Sequence, residues 1–301
     1  MYCSKSYNIT KNYIIEMPTK CKIDKSLIEQ EYFQNNKSQK EIANKLGISQ
    51  WVISQRMKEF GLKSKNRTWK LHNHVYSVNE EFFDELNGEN ALALGWLASD
   101  GYVQTKANSF VFGFKIAKKD EEVLYKIKEL LKFNGRINSF ENVLSKTGKS
   151  YAQVQMYINS KKLVKRLKKF GIVQNKTANL KFPSLIAKSN QESIIKNFIL
   201  GAFEGDGSIL FDQKYNSPCF QIIGTKEMLE GIQIQLMKFI GLSKKKLTKN
   251  TLFSNHYALR YRGKYQAMRI FDWLYLNKKQ FLTRKYKKYL EIKRGLYLSA
   301  E

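Results

Sequence analysis

The sequence repeats itself, and that constrains the fold more than any other feature of it. Leu94-Gly95-Trp96-Leu97-Ala98-Ser99-Asp100-Gly101 corresponds to Leu200-Gly201-Ala202-Phe203-Glu204-Gly205-Asp206-Gly207, an offset of 106 residues. The same offset carries Phe114-Lys115-Ile116 onto Phe220-Gln221-Ile222, and Leu130–Gly135 onto Leu236–Gly241. Lys161 and Lys264 then pair at an offset of 103. A period of ~100 residues is domain duplication, not a short-period solenoid. Each copy reads as helix, strand, strand, helix, further extended segments and a closing helix. In the first strand pair Phe110, Phe112, Phe114 and Ile116 alternate inward, leaving Val111, Gly113 and Lys115 on the other face. Gln221 is the repeat counterpart of Lys115.

The opening helix of each copy carries small residues four apart: Gly95 and Ser99 in the first, Gly201 and Gly205 in the second. Glycine inside a helix costs about 1 kcal/mol against alanine, so the stripe needs a reason. Close backbone-to-backbone packing of the two helices supplies one. Gly101 and Gly207 offer natural helix stops, which would bring Asp100 and Asp206 together. Two carboxylates at adjoining helix ends repel one another unless a cation lies between them. Their hard oxygens suit Mg²⁺ or Mn²⁺, which could act on a phosphodiester. Other metal chemistry has little to work with: the histidines are His72, His74 and His256, and Cys3, Cys21 and Cys219 form no CxxC pair. Unpaired cysteines also point to an intracellular, reducing compartment.

With 53 Lys and Arg against 26 Asp and Glu, the net charge is +27. Such an excess favours a polyanionic partner. No apolar stretch approaches the ~20 residues of a membrane span, and no signal-peptide pattern appears. Residues 1–25 read as a basic tail, 26–66 as a helical domain, 67–76 as a linker, 77–188 as the first repeat and 189–301 as the second. In the helical domain Leu27, Ile28, Tyr32 and Phe33 mark one apolar face. Ser38 and Glu41 form a capping box, Gly47 supplies a turn, and Val52, Ile53, Met57 and Phe60 point inward on a third helix. This pattern fits a helix-turn-helix whose Ser49, Gln50, Ser54, Gln55, Arg56 and Lys58 face a DNA groove. A small three-helix bundle with a solvated polar face has the same pattern.

At the doubled motif the sequence resembles the LAGLIDADG homing-endonuclease family, over roughly residues 77–301. The resemblance implies an α+β fold: two αββαββα halves forming a saddle-shaped, single-chain pseudo-dimer, here behind a small all-α helix-turn-helix domain. It implies Asp100 and Asp206 as metal ligands and Lys115 and Gln221 as candidates for positioning water. It also implies a lysine late in each half. Lys176 fits by position, and the 103 offset points to Lys279, with Lys278 and Lys285 as alternatives. Ala98 departs from the pattern where an acid is common, and Glu204 fills that place in the second motif. The implied activity is Mg²⁺-dependent double-strand cleavage of DNA at a long site, with intron homing as its setting. The alternative is a non-cleaving binder of intron RNA or of regulatory DNA. The chain is expected to act as a monomer.

Overall fold

The computed structural model describes residues 23–35, 37–63, 76–106, 109–144, 148, 150–249, 255–276 and 282–298. Cys3, Cys21, His72, His74, Lys278 and Lys279, most of the expected tail and nearly all of the expected linker lie outside them. The chain divides into two compact units, residues 1–73 and 74–301.

The first unit is all helical. Helix α1 (Lys25–Ile28) runs into a π-helical stretch, Glu29–Gln34, followed by α2 (Gln39–Lys45) and α3 (Gln50–Glu59). Ser38 and Glu41 form the reciprocal capping box. Gly47 takes φ 65° between α2 and α3, where a side chain would be strained. Ile23, Ile28, Tyr32, Ile42, Ala43, Ile53 and Met57 make the core. Phe33 departs from the sequence reading: the π-helical register turns it outward, 41 % exposed, and turns Glu31 inward. Glu31 pairs with Lys37 at 2.5 Å and Lys45 at 2.6 Å, and these bonds hold its carboxyl down at about 2. Cross-linking three segments through one buried acid has no signature in hydrophobic periodicity.

The second unit is α+β. Its order is α4 (Gly88–Ser99), β1 (Gly101–Lys106), β2 (Ser109–Ala117), α5 (Glu122–Leu130), β3 (Asn138–Leu144), β4 (Ser150–Asn159), α6 (Lys161–Lys169) and α7 (Ser184–Ser189). There follow α8 (Glu192–Asp206), β5 (Gly207–Asp212), β6 (Ser217–Gly224), α9 (Lys226–Ile240), β7 (Thr248–Lys249), β8 (Tyr257–Arg262), α10 (Lys264–Tyr275) and α11 (Thr283–Leu298). Two antiparallel four-stranded sheets result, ordered β1-β2-β4-β3 and β5-β6-β8-β7. Phe112, Phe114 and Ile116 from one sheet and Phe220 and Ile222 from the other face a single core, which α4 and α8 share. Lys115 stays exposed on the opposite face, as the alternation requires.

The repeat is not kept at one offset. Gly101 pairs with Phe114 across β1–β2, but Gly207 pairs with Ile222, not Phe220. The β5–β6 turn is two residues longer than the β1–β2 turn, so the strands match at an offset of 108. Lys115 therefore corresponds to Ile223, and Gln221 to Gly113, which corrects the pairing read from sequence. The left-handed residue ending α5 is Lys132 (φ 48°), and that ending α9 is Gly241 (φ 60°), so Gly135 is not the counterpart of Gly241. The offset returns to 103 where Phe114 pairs with Met156 and Ile222 with Leu259.

Candidate active site

Helices α4 and α8 lie side by side along the small-residue stripe. A Cβ on Gly95 would stand 2.8 Å from Ala202 N and 2.9 Å from Gly201 Cα. One on Gly201 would stand 2.8 Å from Trp96 N and 3.0 Å from Gly95 Cα. Real side chains do not reach such distances from a backbone, so here glycine is a steric requirement. One turn later Gly205 lies under Ser99, and a Cβ there would stand 2.8 Å from Asp100 Oδ2. The stop glycines act differently from the sequence reading. Neither Gly101 nor Gly207 has positive φ; both begin strands. A Cβ would instead strike the preceding helical turn, 2.7 Å from Leu97 Cα or 2.6 Å from the Phe203 ring.

Asp100 and Asp206 reach solvent at these helix ends, though densely surrounded by protein. Partial loss of hydration raises the carboxyl of Asp100, where Asp120 adds to the effect and Lys285 opposes it. At Asp206 the same loss, reinforced by Asp100, lifts the carboxyl to about 7 against the pull of Lys176 and Lys285. Each helix end also receives a buried ammonium. Lys176 sits in the 3-10 turn Lys176–Ala178 and donates to Ala98 O at 2.6 Å and Ser99 O at 3.1 Å. Lys285, on α11, donates to Phe203 O, Glu204 O and Gly207 O at 2.6–2.7 Å. A cation is favourable at the carbonyl end of a helix. Burial lowers both lysines, Lys285 to about 8.

Lys285 thus stands where Lys176 does, at an offset of 109. Lys279 lies outside the described residues. The offset grows from 103 to 109 because α10 is three residues longer than α6 and the stretch from its end to the lysine is three residues longer again. Burial of Lys285 within the basic α11 was the missing signal, and its helical spacing to the buried Tyr289 and Ile292, four and then three residues on, could have hinted at it. Glu204 is buried too. It accepts from Trp96 Nε1 at 2.8 Å, across the helix pair, and from the Leu282 amide. Burial lifts its carboxyl to about 7 despite both donors.

The open faces of the two sheets carry polar and aromatic groups. Tyr102 OH accepts from Gln155, which is opposite Lys115, and Tyr157 is exposed. Gln221 accepts from Arg260 Nε at 2.5 Å. On α3 of the first unit, Ser49, Gln50, Lys58 and Trp51 (59 % exposed) face solvent, Ser54 and Gln55 are half-buried, and Arg56 is tied to Glu59 at 2.7 Å. The inward spacing of Val52, Ile53, Met57 and Phe60 leaves Trp51 on this outer side of the helix, and it is exposed there.

Residues 87–171 match the family model described as the LAGLIDADG-like domain. Over those residues the chain has a LAGLIDADG-like domain. Three solved structures are similar to it in outline. The N-terminal LAGLIDADG domain of DUF199/WhiA is 14 % identical at a TM-score of 0.40, over 69 % of this chain and 87 % of that one. The I-LtrWI LAGLIDADG homing endonuclease bound to target DNA is 13 % identical at 0.44, over 74 % and 92 %. The homing endonuclease I-WcaI bound to its DNA recognition sequence is 15 % identical at 0.46, over 73 % and 91 %. Among the described residues no helix is long and apolar enough to cross a membrane, and no group of three or more His, Cys, Asp or Glu gathers as a closed metal cage. The ends of α4 and α8 offer two carboxylates in the open. That donor set suits Mg²⁺, which takes one or two carboxylates and completes its shell with water and phosphate.

Proposed function

We propose that this protein is a divalent-metal-dependent, site-specific DNA endonuclease that cuts both strands. The observation that carries the reading is the pair Asp100 and Asp206, brought to adjoining helix ends with a buried lysine beside each. Asp100 and Asp206 would hold Mg²⁺, which when bound polarises a phosphodiester and lowers the pKa of water. The lysines have another task. Held by backbone carbonyls, Lys176 and Lys285 keep fixed positive charge near the reacting phosphates without needing to move. Lys115 and Gln221 stand on open sheet faces, where they contact DNA or order water. Because their register differs, they serve the two halves unequally. Tyr102, Gln155, Tyr157, Arg260 and Arg262 extend those faces into groove-reading surfaces. Ser49, Gln50, Trp51, Ser54, Gln55 and Lys58 on α3 add a second, helix-turn-helix contact, in which Arg56 is held by Glu59.

The test is incubation with duplexes carrying randomised segments, in Mg²⁺, followed by sequencing of the ends produced. A defined target cut on both strands, lost in chelator and in Asp100→Asn or Asp206→Asn protein, supports the reading. Selective binding without cutting would replace it with a non-cleaving binder of DNA or intron RNA.

A further inference from the structure

We propose that the two ends of the carboxylate pair are chemically unlike. Each DNA strand then meets a different phosphate contact: Arg284 at the Asp100 end and His256 at the Asp206 end. This rests on the endonuclease reading.

Arg284 opens α11, beside Lys285. Its Nε and Nη2 both donate to the Asp120 carboxylate, the latter at 3.0 Å. Thr283 is fixed in turn, its hydroxyl and amide donating to Glu122 at 2.5–2.6 Å. The guanidinium has five N–H donors in a rigid fork, so a phosphate oxygen finds donors left over on a group already oriented by Asp120. The side chain is 45 % exposed, and Asp100 feels the charges of both Arg284 and Asp120.

The other end has none of this. At the matching offsets Asn175 replaces Arg284, and Met228 replaces Asp120. A cavity of about 110 Å³ opens there instead, lined by Asp206, Lys176, Thr225, Met228 and His256 among others. Its lining mixes these polar groups with apolar ones such as Leu180 and Ile222, and it has room for a few ordered waters. His256 comes from the loop before β8, whose Asn255 (φ 60°) anchors on Ala178 O at 2.7 Å, beside Lys176. The counterpart of His256 in the first half is Gln153, which is buried and donates to Tyr151 OH. An imidazole therefore faces the site at one end only, and an anchored guanidinium at the other only.

The experiment is single-turnover cleavage in Mg²⁺ of a duplex bearing the selected target, with each strand labelled separately. Arg284→Met is expected to slow one strand at least tenfold and the other less than twofold, with Arg284→Lys recovering part of the loss. His256→Ala should slow the opposite strand. The spared strand reports that each variant is folded. A second readout needs no turnover: in Ca²⁺, one neutral methylphosphonate at either scissile position should weaken wild-type binding. In Arg284→Met that penalty should vanish on one strand alone. Equal slowing of both strands, or of neither, overturns the inference and leaves the endonuclease reading standing. A wild-type protein that binds the duplex in Mg²⁺ and cuts neither strand overturns both.

Discussion

The two halves solve one problem with different parts. In the first, the helix bearing Asp100 is closed by two hydrogen bonds from Lys176, which sits on a three-residue 3-10 turn. In the second, the helix bearing Asp206 is closed by three bonds from Lys285, which sits on the sixteen-residue α11. After Lys176 the chain must turn back through α7 into α8, whereas after Lys285 it continues as a helix. The acid is unequal too: the Glu204 carboxylate bonds to Trp96 and Leu282, while the side chain of its counterpart Ala98 is a methyl group packed into the core. Duplication copies the scaffold. The loop lengths then decide which side chain reaches the same point in space.

The most damaging test of this comparison lies at the carboxylates. Asp100→Asn and Asp206→Asn should each lower double-strand cleavage by about a thousandfold or more, the scale on which removal of an essential electrostatic group acts. Nicking assays with either variant would show whether the halves can work alone, and full activity of both in chelator would refute the metal assignment. Next comes the helix junction. Gly95→Leu and Gly201→Leu should each cost several kcal/mol, about 3 or more, because neither backbone can yield. Gly295→Ala is the control, since a Cβ there meets nothing within 4 Å, and it should stabilise α11 by up to about 1 kcal/mol. Equal thermal midpoints for all three proteins would show that the junction is not tight.

The lysines rank below these. Lys285→Met takes the ammonium from Glu204 O and Gly207 O, while Phe203 O keeps the Gly207 amide, and Lys176→Met takes it from Ala98 O and Ser99 O, so losses of about 2 kcal/mol each are expected in chemical denaturation. A clearly larger loss in Lys176→Met would mean that the turn, not the helix, holds the firmer cap. Smallest is the effect of the unmatched acid. Glu204 has its carboxyl raised to about 7 in the folded state against about 4.5 unfolded. The folded protein then holds the extra proton between those values, so its stability falls as pH rises from 4.5 to 7. Glu204→Gln should flatten that slope. Glu31, lowered to about 2, works the other way: its contribution is present above pH 4.5 and is lost as pH falls toward 2. An unchanged pH–stability profile in Glu204→Gln would show that the second half gains nothing specific from its acid.

Much of this molecule is written in local pattern. The doubled motif, the alternation of Phe112, Phe114 and Ile116, the capping box at Ser38 and the glycine turn at 47 each follow from spacing and backbone sterics, which depend only on near neighbours. The nearness of Asp100 to Asp206 could be inferred as well, because small residues at Gly95 and Gly201 have few other uses inside a helix. What lay beyond reach depends on contacts between distant segments. The longer β5–β6 turn moved Gln221 out of line with Lys115, and a longer α10 together with a longer stretch after it moved the closing lysine to 285. Glu31 and Glu204 went inside because partners up to 108 residues away were there to receive them. Spacing sets which face a side chain takes on its own element; only the assembled fold, where burial and hydrogen bonding are settled together, decides what that face meets.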